Sequence, residues 1–292
     1  MVADALIAES GLPTTTGGRT AHRVESRRRR LPSLTLIAAW AVVAVVIAWT
    51  VAPGLLAPYS AYEPVTQGLQ APSWQHWFGT DQLGRDQLSR VIVGARESLL
   101  GAGIAVTIGL TVGVLLGAVA GALGGVADGV IMRIVDVLLA VPGLLLALSV
   151  VVLLGTGTVN TAIAVGIGSI AGFARLLRSE VVQVRRTEYV EAAYGSGATF
   201  FAVLRRHVLP NSLTPIVALA ALQFGTAILA ISTLGFLGYG APPPTPEWGL
   251  LIAEGRNYIG TAWWLTALPG LVVVAVVLSA NRISHRLGRN TR

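Results

Sequence analysis

Ser98-Leu-Leu-Gly-Ala-Gly-Ile-Ala-Val-Thr-Ile-Gly-Leu-Thr-Val-Gly-Val-Leu-Leu-Gly-Ala-Val-Ala-Gly-Ala-Leu123 contains no ionisable side chain. Its apolar residues go all the way round a helix, so it has no water-facing side. At 26 residues it exceeds the roughly 20 needed to cross a bilayer. Gly109, Gly113, Gly117 and Gly121 recur every four residues and line one face. Such a ridge lets another helix approach backbone to backbone, within the bundle or from a second subunit.

The rest of the chain agrees. Of 292 residues, 53% are hydrophobic and only 12% charged, with mean hydropathy +0.69. A soluble domain carries about 25% charged residues, so a water-soluble enzyme is excluded and a polytopic membrane protein indicated. Cysteine is absent, which removes disulfides, thiolate metal sites and cysteine nucleophiles. All 21 basic residues under Lys+Arg are arginine, so the chain has no Walker A, Schiff-base or Ser-Lys lysine. The four histidines (22, 76, 207, 285) lack metal-ligand spacing. Nothing points to a metal or cofactor on this chain.

Six stretches are long and apolar enough to span, at about 33–57, 98–123, 130–154, 158–178, 214–238 and 262–283. Pro53 can end the first early, and Pro142 and Pro269 can bend the third and sixth. With the N-terminus inside, 17 of the 21 arginines fall on one side, leaving Arg85, Arg90, Arg96 and Arg256 on the other. The asymmetry puts both termini in the cytoplasm, and explains the net charge of +7 without a nucleic-acid surface. Residues 1–32 read as a disordered cytoplasmic tail ending in Arg27–Arg30, rather than a signal peptide, whose apolar region would be shorter. The remaining divisions are 33–97 (first span plus extracytoplasmic segment), a five-helix core over 98–283, and a cytoplasmic tail 284–292. Most tryptophans fall near span ends, where interface anchors sit; Trp263 or Trp264 could instead stack on a substrate.

The 184–213 connection is too polar to span and too long for a turn. Its sequence predicts helix, break, helix. Thr187 caps the first helix and Glu188 and Glu191 favour its N-terminal end. Gly195 and Gly197 break it, and Pro210 ends the second helix. Phe200, Phe201, Leu204 and Val208 give the second helix an apolar side, the mark of a docking partner.

Glu191-Ala192-Ala193, then Gly197-Ala198, then His207-Val-Leu-Pro210-Asn211 resembles the EAA signature of permease subunits of ATP-binding cassette importers. Phe78-Gly-Thr-Asp-Gln-Leu-Gly-Arg-Asp-Gln-Leu-Ser-Arg90 with Gly94-Ala-Arg-Glu-Ser-Leu99 is similar to dipeptide, oligopeptide and nickel permeases. So are Asp128, Met132-Arg-Ile-Val-Asp136 with Pro142, and Phe236-Leu-Gly-Tyr-Gly240 with Pro242-Pro243 and Trp248-Gly249. The resemblance covers about residues 33–283 and points to the "C-type" subunit. It implies an all-α, six-helix permease with no chemistry of its own, in the bacterial inner membrane. Its expected partners are a second homologous permease, two ATPase subunits that bind ATP and magnesium, an extracytoplasmic binding protein, and membrane lipid. The 184–213 bracket is then the ATPase-coupling region, carried by Glu191, Ala192, Ala193, Gly197, Ala198, His207, Pro210 and Asn211. The expected cargo is a short peptide, with nickel chelates, haem or other small solutes as alternatives.

Two features depart from the family pattern. The tail reads Asn281-Arg-Ile-Ser-His-Arg-Leu-Gly without the usual acids, and Ile231 stands where a glutamate is common in the fifth span. Polar contacts to substrate therefore have to be sought elsewhere; Gln223, Asn160 and Thr226 are the candidates, because polar side chains in spans need a reason to be there.

Asp81, Arg85, Asp86 and Arg90 precede the second span on the outer side. Spacings of four suggest helical pairs Asp81–Arg85 and Asp86–Arg90, on either a surface that docks a binding protein, a gate, or a self-satisfied surface helix. Arg133 and Asp136 are spaced to satisfy each other. The rival class, a stand-alone secondary transporter or channel, explains six spans equally well. It leaves the bracket unexplained and usually needs intramembrane acids, of which Asp136 is the one well inside a span.

Overall fold

A computed structural model describes residues 34–289. The expected tail 1–32 and Arg292 lie outside the described residues. The described chain is all-helical apart from one isolated bridge, Thr80 to Asp86. In order it forms α1 (Leu34–Val51), α2 (Pro53–Leu56), α3 (Gln87–Leu123), α4 (Gly125–Ala140), α5 (Gly143–Leu154), α6 (Thr158–Val184), α7 (Glu188–Gly195) and α8 (Phe200–Val203). A π-turn (Leu204–Val208), α9 (Leu209–Ser212), α10 (Thr214–Phe236), α11 (Trp248–Gly255), a 3-10 turn (Arg256–Tyr258) and α12 (Trp264–Arg289) follow. Five of the described helices (α1, α3, α6, α10, α12) are long and apolar enough to cross a membrane, and there are six if the bent pair α4–α5 counts as one span.

The boundaries follow from local chemistry. α1 stops at Val51, not 57, because Ala52 precedes Pro53 and leaves the helical region (φ −132°, ψ 55°). α3 begins at Gln87, eleven residues before the apolar stretch. Asp86 caps it there, accepting from the Ser89 N–H at 2.8 Å and the Ser89 hydroxyl at 2.7 Å. Pro142 divides the third span. Val141, the residue before it, is extended, and α4 and α5 meet at 92°. Pro269 is accommodated within α12.

The glycine ridge is used inside the chain, by α6. A Cβ on Gly113 would stand 2.6 Å from Phe173 Cβ, and one on Gly117 would stand 2.5 Å from the Ala174 carbonyl oxygen. Only hydrogen fits in that space, so the two longest helices touch along their backbones. Around this seam lie two apolar cores. One joins Ala102, Ile228, Ile231, Leu234 and Trp248; the other joins Phe173, Leu177, Val181, Val190, Val203 and Ile216.

α4 is held to α6 by charge. Arg178 grips Asp128 with two bonds (2.9 and 2.6 Å), and Arg175 donates to Asp136 at 2.7 Å. The expected Arg133–Asp136 pair is replaced, because the neighbouring helix brings Arg175 to that carboxylate.

Candidate functional site

At the arginine-rich end, the bracket forms with the expected helix–break–helix outline and different details. The Thr187 hydroxyl caps nothing: it donates back to the Val184 carbonyl at 2.6 Å. Gly195 closes α7, so the break falls on Gly197, whose φ of +87° favours glycine. Pro210 does not stop the second helix. The run continues to Ser212, because the π-turn just before the proline widens the helix and pairs the Leu209 N–H with the Leu204 carbonyl. Asn211 Nδ2 donates to the His207 carbonyl at 2.6 Å, and His207 itself is half-buried.

This bracket has two faces. Val190, Val203 and Val208 are buried on the second core, with Ala193, Ala198, Leu204 and Leu209 packed against it. Opposite them Glu191, Ala192, Gly197, Pro210 and Asn211 are exposed, beside the exposed rings of Tyr189, Tyr194 and Phe201. Phe201 is 79% exposed. The Arg185 side chain ties the root of the bracket to α3, donating to the Gly121 and Ala122 carbonyls at 2.9 and 2.7 Å.

At the opposite end the segment 57–86 and α11 cap the bundle. Here Asp81, Arg85, Asp86 and Arg90 are all buried, which corrects their reading as an exposed helical surface. Asp81 lies in a turn rather than a helix. It takes Arg85 Nε at 2.6 Å and Arg90 Nη1 at 2.5 Å. Asp86 does not pair with Arg90; as the α3 cap it faces His76 Nδ1 at 2.9 Å. Arg90 reaches Glu254 on α11 instead, at 2.9 Å. Side chains buried this way present no docking contact themselves. The exposed groups nearby are Trp74 and Trp77.

At the start of α11 stand one residue that sequence reasoning passed over, Glu247, and one that it placed differently, Trp248. Glu247 caps it, accepting from the N–H groups of Gly249 (2.9 Å) and Leu250 (3.0 Å) and from the Ser98 hydroxyl (3.2 Å). Burial pushes its carboxyl up to about 7 despite those three bonds, and the nearby Glu97 charge adds to the rise. Trp248 is fully buried, not an interface anchor, and its indole N–H donates to the Val91 carbonyl at 3.0 Å. Glutamate is not among the usual capping residues, so nothing local marked this cap. Trp264 is also buried; its neighbour Trp263 is exposed.

Midway along the spans a cavity of about 360 Å³ opens between α3, α5, α6 and α10. Ala105, Ala147, Ser169, Gln223, Thr226 and Thr233 are among its lining residues. Two of the three candidate lining residues are therefore there. Asn160 is not: its amide is bound to the Leu154 and Thr156 carbonyls at the end of α5. Ile231 is buried beside Gly101, outside the cavity.

Comparison with known proteins agrees with this architecture. Residues 113–292 match the family described as binding-protein-dependent transport system inner membrane component. The chain is 43% identical over 266 residues to the glutathione transport system permease protein GsiD of Shigella flexneri, covering 89% of this chain and 86% of that one. It is 41% identical over 219 residues to the dipeptide transport system permease protein DppC of Alkalihalophilus pseudofirmus, covering 75% of this chain and 72% of that one. Among solved structures it is similar to a chain of the inward-facing MetNI methionine ABC transporter. The TM-score is 0.58 at 19% identity, over 70% of this chain and 97% of that one. The chain belongs to the family of inner-membrane components of binding-protein-dependent transport systems. Within it, this is a multi-pass permease subunit of the ABC importer class.

Proposed function

We propose that the chain forms one half of the translocation pathway of an importer for short peptides, glutathione among them. A second homologous permease supplies the other half. Two ATPase subunits, which hold ATP and magnesium, drive the cycle from the cytoplasmic side, and an extracytoplasmic binding protein delivers the solute. Both termini are cytoplasmic in a bacterial inner membrane, in keeping with the arginine asymmetry. This chain has no part in bond making or breaking and no role with nucleic acid.

The observation that carries the reading is the two-faced bracket. Its underside is fixed by Val190, Val203 and Val208, and its outer side offers Tyr189, Tyr194 and Phe201 around Glu191, Ala192 and Gly197. Exposed aromatic side chains on a short, firmly seated helix pair fit a protein partner better than solvent. ATP-driven closure of the ATPases moves the bracket, and the bracket moves the spans.

The test is substitution of the outer side in the assembled transporter. Glu191→Trp and Gly197→Val should reach the membrane in normal amount, yet lose most peptide uptake per ATP hydrolysed. Normal uptake at matched expression overturns the reading.

A further inference from the structure

Gln223 is the tenth residue of the 23 in α10, so its side chain sits near mid-depth. It is the one side-chain amide among the residues lining the cavity, and no lining residue is ionisable. The Thr226 hydroxyl lies 3.0 Å from both the Gln223 backbone carbonyl and Gln223 Oε1. A hydroxyl there donates to the amide oxygen and turns the other end outward. Nε2 has no hydrogen-bond partner among the described residues. Nε2 lies beside Gly172 of α6, where an added Cβ would stand at an ordinary contact distance of 3.7 Å.

The hydroxyls around it are spent as donors. Ser169 Oγ donates to the Gly166 carbonyl at 2.8 Å, and Thr233 Oγ1 to the Leu229 carbonyl at 2.7 Å. What they have left for the cavity is lone pairs. The cavity thus combines one free N–H₂ donor with several hydroxyl acceptors on an otherwise apolar wall. Such a surface is costly against lipid tails, where a free amide finds no partner. It suits an uncharged group that both accepts and donates, as a peptide bond does.

We infer that Gln223, held by Thr226, is a solute-binding group that engages the main-chain amide of the transported peptide, independent of its side chains. The inference rests on the proposed peptide-importer reading. Gln223 is the contact residue and Thr226 the positioning residue.

The experiment uses the complete transporter in proteoliposomes, with radiolabelled glutathione and trialanine as probes. Gln223→Leu should lower uptake of both by about five- to ten-fold, the worth of one hydrogen bond left unmade, with membrane abundance unchanged. Thr226→Val should lower uptake of both by less, and Thr226→Ser should restore it. If Gln223→Leu assembles poorly, Gln223→Asn, which withdraws the amide by one methylene, should show the same equal loss. Full uptake by either Gln223 variant overturns the inference alone, and so does a loss confined to one probe. Wild-type transporter that imports neither probe overturns the peptide reading, and the inference with it.

Discussion

Arg90 and Glu254, separated by 164 positions in the chain, meet at 2.9 Å, and the arginine is fully buried. The same Nη1 bonds Asp81, so one guanidinium joins the 57–86 segment, the first turn of α3 and α11. Arg90 Nε and Nη2 have no partner, so the group is held by its carboxylates alone. Removing Arg90 leaves Glu254 without its closest cation and Asp81 with Arg85 alone. Arg90→Leu should cost about 3–5 kcal/mol, the range for breaking one side of a buried ion pair. Thermal unfolding in detergent checks this. A midpoint unchanged from wild type would show that the cap does not depend on the arginine.

Glu247 sets a pH dependence. Its carboxyl is raised from 4.5 to about 7 in the folded chain, so unfolding releases a proton between those values. The contribution of this group to stability is therefore fully present below pH 4.5, falls as pH rises toward 7, and is then lost. Glu247→Gln keeps one acceptor oxygen where the carboxylate offers Gly249 and Leu250 one each, and it has no proton to lose. Its melting temperature should hold level between pH 5 and pH 8, where that of the wild type falls. Parallel curves across that range would contradict the assignment.

The α3–α6 seam has no room for a side chain at its centre. Gly113→Val and Gly117→Val should each destabilise the bundle by about 1–3 kcal/mol or more, the cost of overpacking. Gly103 and Gly129 have open space where a Cβ would go. Gly103→Ala or Gly129→Ala should be nearly silent in the same melts, and provides the internal control.

A change at Phe201 tests the proposed partner contact apart from folding. It is 79% exposed, and its removal opens no cavity in this chain. Phe201→Ser should leave the melting temperature within about 0.5 kcal/mol of wild type in stability terms, as surface changes do. It should still weaken co-purification with the ATPase subunits. Undiminished ATPase recovery would place the contact elsewhere on the bracket.

Much of this was legible in the sequence. Hydropathy marked the six spanning segments, and the spacing of four marked the ridge that α6 fills. The break in the bracket could be read because glycine takes the positive φ found at Gly197, whereas Pro210, expected as a stop, lies within the helical run. What escaped notice depended on partners remote in the chain. The Asp81–Arg85 pair of the sequence is present, but Arg90 looks like the partner of Asp86 until Asp81 and Glu254 are brought beside it. Arg133 looks like the partner of Asp136 until α6 arrives with Arg175. Hydropathy also gives length without direction, so Pro142 announced a bend but not one of 92°. Glu247 lay in a stretch rich in proline and glycine, where nothing local foretells burial.

The two bonds from Arg185 to the last carbonyls of α3 deserve a mechanical reading. The hinge point of the bracket is bolted to the far end of a helix that is itself fused to α6 by glycine contacts. A push on the outer aromatic rings therefore cannot be absorbed by slack between these two rods. In the proposed cycle it would tilt α3 and α6 together, along a helix of 37 residues whose first turn Arg90 ties to Asp81 and Glu254.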